Sequence, residues 1–247
     1  MMDQAHNCKN GDQTEKNIKQ YGLTVMIIEA TNYLPAFAYS IGLWKTYGHP
    51  EIICFGLTTK TLHTLINNVA EFVKKGQVIT TNRSYDEFVN NAYTMFVSVD
   101  RNYLNHYFGT AINYYGSDQF PALQFVWTDR NNKFPWEDNF EEEFKYRQPL
   151  LDRNVNFKFR EARNLGIFTT RQWLELSKPI LRVIHDEDGD WQFLTGDQLP
   201  EDIKLVALEQ MTVRDQTLNE VFDLDYGETA DREFIGDEWR RSSTKEI

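Results

Sequence analysis

The stretch Phe120-Pro-Ala-Leu-Gln-Phe-Val-Trp-Thr-Asp-Arg-Asn-Asn-Lys-Phe-Pro-Trp136 says more about the fold than any other part of the chain. Its first half, Phe120 to Trp127, is an apolar run that predicts a buried strand. The residues from Asp129 to Asn132 favour a turn, and Phe134-Pro-Trp136 follows as an aromatic anchor. A strand that ends in a polar turn between two tryptophans is a common place for a binding surface.

Three more strands are predicted before this stretch, and short polar segments connect them. They are the runs 23–30, 35–43 and 50–56, all rich in apolar residues. Short connections favour an antiparallel meander. Gly42 lies near the end of the second run and indicates a bulge or a close backbone approach.

A helix is predicted from Thr59 to Lys75, because apolar residues recur there at spacings of three and four. Thr58 or Thr59 can cap its start, and Gly76 marks its end. A strand over 91–99 and an aromatic-rich helix or turn over 103–115 complete this part. Mixed strands and helices without regular alternation predict an α+β fold, with a mostly antiparallel sheet and packed helices.

The composition divides the chain into four segments. Residues 1–19 are polar and are expected to form a flexible tail, and residues 20–151 form the α+β domain. A basic connector over 152–178 precedes a small acidic α+β domain over 179–247. In that last domain, strands at 180–184 and 191–194 flank a hairpin turn at Asp188-Gly189.

The negative charge is concentrated at the carboxyl-terminal end. The chain has a formal net charge of −11, and residues 178–247 hold 8 Lys and Arg against 18 Asp and Glu. Such a field repels nucleic acid and attracts a basic partner. We therefore expect a protein partner with a basic surface and no nucleic acid. The basic connector is expected to dock onto the acidic domain.

Several other functions are not indicated by the sequence. Cys8 and Cys54 are not expected to form a disulfide framework, and no apolar run approaches the roughly 18 residues of a membrane helix. The amino terminus lacks an apolar signal region, so we expect a cytoplasmic protein. We expect no cofactor and no metal, because the acidic run 185–190 lacks the later glutamate of a calcium loop.

A set of motifs in the first domain resembles a bacterial family known only as domain of unknown function 4262. The motifs are Phe37-Ala-Tyr-Ser-Ile-Gly-Leu43, His49-Pro-Glu51, Phe55-Gly-Leu57, Ala122-Leu-Gln-Phe-Val-Trp-Thr-Asp129, Phe134-Pro-Trp136 and Gln148-Pro149. The resemblance covers residues 18–151 and implies a shared fold but no reaction. It also implies a shared surface, formed by Tyr39, His49, Glu51, Gln124, Trp127, Asp129 and Trp136.

The carboxyl-terminal domain is similar, through shorter motifs, to a family of unknown function found among immunity proteins of bacterial toxin systems. The motifs are Asp190-Trp-Gln-Phe-Leu-Thr-Gly-Asp197, Gly227-Glu-Thr-Ala-Asp-Arg-Glu-Phe234 and Trp239. The resemblance covers about the last 65 residues and favours a protein that acts by binding another protein.

Two functions follow as hypotheses. The first is an immunity or antitoxin-like module that binds a basic protein through its acidic domain. It would use the acidic side chains Asp186, Asp188, Asp190 and Asp197, with Trp191 and Trp239 as apolar anchors. The oligomeric state is left open.

The alternative is a small-molecule-binding protein or a hydrolase-type enzyme. His49, Glu51 and Asp129 are its candidate catalytic residues, because a histidine and a carboxylate in one cleft can act as acid and base. Gln124 and Trp127 would orient the ligand. This hypothesis requires that these side chains converge on one pocket of the first domain.

Overall fold

The computed structural model of the chain describes residues 13–243, and these residues form two compact units. The first unit contains the chain up to Ala30 and Pro35–Val155, and the second contains Thr31–Leu34 and the chain from Asn156. Each unit has helices and a mixed sheet of six strands, so the predicted α+β class is confirmed.

The first unit places its strands in the order β1-β2-β3-β6-β5-β4. Its elements are α1 (13–21), β1 (Thr24–Ile28), β2 (Phe37–Ile41), α2 (Leu43–Tyr47), β3 (Glu51–Phe55), α3 (Thr59–Lys74), β4 (Ser84–Tyr85), β5 (Thr94–Ser98), α4 (Leu104–Tyr107), α5 (Gly109–Tyr115) and β6 (Ala122–Trp127). Short 3-10 helices lie at Arg101–Tyr103 and Glu142–Phe144. Strands β1, β2 and β3 form the predicted antiparallel meander, and β3 and β6 pair in parallel.

Helix α3 covers one face of this sheet. The residues of its apolar stripe are buried: Leu62, Leu65, Ile66, Val69, Ala70 and Val73. They belong to the same core cluster as Ile52 of β3 and Phe125 of β6. The Thr58 hydroxyl accepts the Thr61 N–H at 3.2 Å, which is the N-cap that the sequence predicted.

Residues 13–21, part of which was expected to be flexible, form helix α1. Thr14 and Ile18 of this helix are buried. Ile18 lies against Gly42, where an added Cβ would be 3.1 Å from the Ile18 side chain. Gly42 also has a φ of 113°, which glycine adopts most readily. The polar composition did not reveal this helix, because a tertiary contact stabilises it. Residues 1–12 of the expected tail lie outside the described part of the chain.

The second unit places its strands in the order β10-β7-β9-β8-β11-β12. Its elements are β7 (Gly166–Thr170), α6 (Arg171–Leu176), β8 (Arg182–His185), β9 (Trp191–Leu194), β10 (Ile203–Ala207), α7 (Leu208–Arg214), β11 (Glu228–Asp231) and β12 (Arg240–Ser243), with 3-10 helices at Pro200–Asp202 and Gln216–Val221. Strands β7 and β9 are parallel, and the other pairs are antiparallel. The predicted β8–β9 hairpin is present, and Gly189 in its turn has a φ of 90°.

The segment expected to be a basic connector contributes strand β7 and helix α6 to this second unit. Its basic residues make ion pairs with acidic residues of the same unit. Arg163 pairs with Glu209 at 2.6 Å, Arg171 pairs with Asp202 at 2.9 Å, and Lys178 pairs with Asp197. Residues 166–176 are therefore part of the folded unit rather than a link that leads to it.

Asp202 gives this unit a stability that depends on pH. Its carboxylate accepts the Leu199 N–H at 3.0 Å, the Gln172 amide at 2.6 Å and the Arg171 Nε at 2.9 Å. These donors, the Leu199 N–H first among them, lower the pKa of Asp202 to about 2. A carboxyl whose pKa is lowered by folding stabilises the protein above its ordinary pKa of 3.8, and this contribution is lost as the pH falls toward 2.

We expect Asp202→Asn to destabilise the second unit near neutral pH. The wild type loses the stabilisation from ionised Asp202 in acid. The difference in the free energy of unfolding between the two proteins should therefore shrink as the pH falls below about 4. Urea unfolding of both proteins at about pH 6, 4 and 3 measures this difference. Glu201→Gln, at an exposed neighbouring position, is the matched control. A difference that is constant over this pH range would contradict the prediction.

Candidate functional site

Glu51, the carboxylate of the candidate acid–base pair, is fully buried and bound by groups of its own fold. It accepts the Ser40 hydroxyl at 2.5 Å, the Tyr115 hydroxyl at 2.5 Å, and the backbone N–H groups of Gly42 at 2.9 Å and Trp44 at 3.0 Å. Burial raises the pKa of Glu51, and these four donors act in the opposite direction. The carboxylate therefore connects the end of β2, the start of α2 and the end of α5 to the start of β3.

His49 lies beside Glu51 in the sequence and is also buried. Its Nδ1 is 2.7 Å from the Pro50 carbonyl oxygen, and since a carbonyl only accepts, Nδ1 carries the proton. Nε2 is buried and has no hydrogen-bond partner within residues 13–243. Burial lowers the pKa of His49, which favours the neutral imidazole.

Asp129 organises the turn after β6. Its carboxylate accepts the N–H groups of Asn131 and Lys133 at 2.8 Å each and of Glu141 at 3.0 Å. Burial raises the pKa of Asp129, but these backbone donors together outweigh it, so the pKa is lowered.

The structure does not bring Glu51 and Asp129 together. Glu51 pairs with Ala122 at the start of the parallel strands β3 and β6, whereas Asp129 follows the end of β6. At about 3.3 Å per residue, the six residues of β6 separate these two ends by roughly 16 Å. The convergence that acid–base chemistry requires of them is absent in the described unit.

Three other residues of the expected surface point inward and hold the first unit together. The Gln124 amide donates to the Pro149 oxygen and accepts the Leu151 N–H, both at 2.8 Å. The Trp127 indole donates to the Phe55 oxygen at 2.8 Å, and the buried Tyr39 hydroxyl accepts the Thr110 N–H at 3.3 Å. Trp136 differs from them, because it is exposed and stacks on Phe134, with Arg153 over its ring.

In the second unit, Trp191 is not available as an exposed anchor. It is 1% exposed, its ring stacks on His185 with centroids 4.0 Å apart, and its indole donates to Glu161 at 3.1 Å. Trp239 is partly exposed, and the Arg232 guanidinium lies 4.4 Å from the centre of its ring. Asp197 is paired with Lys178.

The remaining acidic candidates form the β8–β9 hairpin turn. The Asp186 carboxylate accepts the N–H groups of Asp188 at 3.1 Å and Asp190 at 2.9 Å, which fixes the turn. Asp188 and Asp190 are exposed, as is Glu187 between them. None of these three makes an ion pair with another described residue, so their charges face solvent.

The register of the second sheet reveals a surface that was not expected from the sequence. One row of paired residues crosses all six strands: Leu205, Phe168, Gln192, Ile184, Thr229 and Ser242. Paired residues lie on the same side of a sheet, and every member of this row is exposed or partly exposed. Their neighbours in β7, β8 and β9, such as Ile167 and Phe193, are buried. We call the side that carries this row the outer face.

The outer face combines an apolar strip with an acidic rim. Phe168 is 37% exposed, and Ile203 and Leu205 of the edge strand β10 are 36% and 67% exposed. Asp186 and Asp190 extend β8 and β9 by two residues beyond the row, so they lie on this same face. The Gln192 amide confirms this by donating to Asp186 at 3.2 Å. The apolar residues on both faces of β7 and β10 were the available sequence signal.

Comparisons with known proteins place the first unit in a family. The model of a family described as Domain of unknown function (DUF4262) matches residues 17–141, just over half of the chain. No curated protein and no solved structure shows a significant match to the chain. The similarity of the carboxyl-terminal motifs to immunity proteins stays a prediction.

Two further findings concern membranes and metals. Within residues 13–243, no helix is both long and apolar enough to cross a membrane. The same residues hold no group of three or more His, Cys, Asp or Glu side chains arranged to bind a metal ion.

Proposed function

The chain belongs to the family described as Domain of unknown function (DUF4262), and for this member we propose a protein-binding function, in which the outer face of the second unit binds a basic protein. The single observation that supports this proposal most is the exposed strip of Phe168, Ile203 and Leu205 beside the acidic hairpin turn. Open apolar surface with a polar rim is characteristic of protein-interaction sites.

The charge of the second unit favours a basic partner. The unit holds 12 Lys and Arg against 20 Asp and Glu. Many of these acidic residues are paired within the unit, but Glu187, Asp188 and Asp190 are exposed at the rim of the outer face. Complementary charges accelerate association and select the partner, while apolar contacts at the centre supply the affinity. The same negative charge opposes binding to nucleic acid.

The strand order adds a second mode of contact. Strand β10 is one edge of the second sheet, and within residues 13–243 it pairs with β7 alone. A partner segment in extended conformation can add beside such an edge through main-chain hydrogen bonds. The exposed Ile203 and Leu205 would then contact the partner's side chains.

The specific form of this proposal is an immunity or antitoxin-like role, in which the partner is a basic toxin that the chain inhibits. The acidic hairpin turn and the motif that runs from Asp190 to Asp197 support it. Inhibition of the isolated partner's activity by the purified chain would distinguish this role from simple assembly.

We expect Leu205→Asp to weaken partner binding about 30-fold or more, because it places a charge in the centre of the apolar strip. Leu205 is 67% exposed, so the fold should tolerate the change. Affinity purification of the tagged chain from its native host, followed by calorimetry with the retained protein, measures this effect. Val213→Asp is the control, because Val213 is 70% exposed but belongs to α7.

The outcome separates a specific surface from adventitious capture. A basic protein that is lost with Leu205→Asp and retained with Val213→Asp would support the outer face as the site. Replacing Asp188 and Asp190 by lysine reverses their charge. This change should also slow association with the partner and weaken the dependence of the association rate on salt. An acidic partner would contradict the proposal. So would a partner that binds Leu205→Asp and Val213→Asp equally well.

A further inference from the structure

A pocket of about 460 Å³ lies in the first unit, and neither His49 nor Glu51 lines it. Its walls come from helix α3, from the loop between β4 and β5, and from the end of β6. The volume lies within the roughly 300–1,000 Å³ that small-molecule sites occupy.

The position of the pocket follows from the strand directions. Strands β3 and β6 are parallel, so their carboxyl ends lie at the same edge of the sheet. Leu57, two residues after β3, and Trp127 and Thr128 at the end of β6 line the pocket. In open sheets with parallel strands, ligands commonly bind beyond these carboxyl ends.

The pocket has a rigid apolar floor. Leu65 from α3, Phe88 from the loop and Trp127 from β6 are all buried and line it. Trp127 is held by its indole bond to Phe55, and the Gln148 amide accepts its backbone N–H at 3.2 Å and donates to its backbone oxygen at 2.8 Å. These bonds fix the aromatic surface before any ligand arrives, which reduces the entropic cost of binding.

The polar groups of the rim define what the pocket can recognise. The amides of Asn68 and Asn90 are exposed and make no hydrogen bond with other described residues, so they are available to a ligand. The Thr128 hydroxyl donates to the Tyr93 oxygen at 3.1 Å and can still accept a hydrogen bond. Among the described lining residues, Glu87 is the only charged one.

We propose that this pocket binds a small uncharged or cationic molecule with a flat apolar part. The flat part would lie against Trp127 and Phe88, and its polar groups would hydrogen-bond to Asn68 and Asn90. A cation would gain from Glu87, whereas a carboxylate or phosphate would meet a like charge and no basic side chain. The site is separate from the protein-binding outer face, so either can exist without the other.

Three probes of similar shape test the ligand class: tryptamine as the cation, indole as the neutral compound and indole-3-acetate as the anion. Calorimetry with the full chain is expected to give a dissociation constant of about 1 mM or lower for tryptamine, as suits a fragment of this size. Indole-3-acetate should bind at least about 10-fold more weakly, because of its charge. Equal binding of the anion and the cation, or no binding of any probe, would overturn the proposal.

Thr64→Trp tests the location. Thr64 is exposed and lines the pocket from α3, so a tryptophan there would fill it and weaken tryptamine binding about 10-fold or more. His63→Trp, at the exposed neighbouring position outside the lining, is the matched control and should bind as the wild type does. Tryptamine binding that Thr64→Trp leaves unchanged would contradict this location.

A second variant keeps the test decisive if Thr64→Trp does not fold. Glu87 is exposed, and Glu87→Lys should reverse the preference, so that indole-3-acetate binds more tightly than tryptamine. Thermal unfolding of each variant checks the fold independently. A preference for tryptamine that persists in Glu87→Lys would show that these probes bind elsewhere and would overturn the assignment.

Discussion

Replacing Arg232 by methionine is expected to lower the free energy of unfolding of the second unit by about 3–5 kcal/mol, because it leaves the Asp215 carboxylate buried without its ionic partner. The Arg232 side chain is fully buried. It donates to Asp215 at 2.5 Å, to the Thr217 hydroxyl at 2.5 Å and to the Ile180 oxygen at 2.9 Å. One guanidinium thus links three segments of the chain: the one before β8, the one after α7 and its own, which follows β11.

The measurement is urea unfolding followed by tryptophan fluorescence, since Trp173 and Trp191 are buried in this unit. Arg182→Met is the matched control, because the pair of Arg182 with Asp231 is solvent-exposed and is expected to contribute less than about 1 kcal/mol. Removing both charges, in Arg232→Met with Asp215→Leu, should recover part of the loss. If Arg232→Met were no less stable than Arg182→Met, the buried pair of Arg232 and Asp215 would not be needed for the stability of the unit.

The sequence was sufficient to predict an element where residues within that element stabilise it. Helix α3 was predicted to within one residue, because its apolar stripe, the Thr58 cap and Gly76 all lie within one stretch of chain. The β8–β9 hairpin followed from Asp188-Gly189 in the same way. Helix α1 was missed because it depends on contacts with distant residues such as Gly42.

The candidate site was harder to predict, because residue type does not reveal what a side chain contacts. Glu51 has the chemistry of a general base, yet its two oxygens are bound by donors from three other elements. Trp191 follows four acidic residues and was expected to be exposed, but it shares a face of β9 with the buried Phe193. The outer face itself depends on the pairing of β7 with β9 and β10, which no local pattern specifies.

Replacing Glu51 by alanine is expected to lower the free energy of unfolding of the first unit by about 3–5 kcal/mol, because four donors lose this acceptor at a buried position. Of the four, the Gly42 N–H alone has a second acceptor among the described residues, the Tyr115 hydroxyl at 3.1 Å. The backbone N–H groups of Gly42 and Trp44 cannot turn toward water without moving the start of α2. Urea unfolding again measures the effect. Glu71→Ala is the control, because Glu71 is exposed and its one ion pair among the described residues is with Lys74, so the expected loss of stability is much smaller.

The pH dependence of the Glu51→Gln variant tests the ionisation of this carboxyl separately. Burial, the largest influence, raises the pKa of Glu51 above its ordinary value of 4.5, so the folded protein binds this proton more tightly than the unfolded chain does. The wild type should therefore lose stability relative to Glu51→Gln as the pH rises from 4.5 through the raised pKa. If the wild type instead gains stability over this range, the four donors outweigh burial and the ionised carboxylate is the form that the fold prefers. Whichever direction the stability changes with pH, the Glu51 carboxyl is hydrogen-bonded to four groups of its own unit. Its removal is therefore expected to change the stability of that unit.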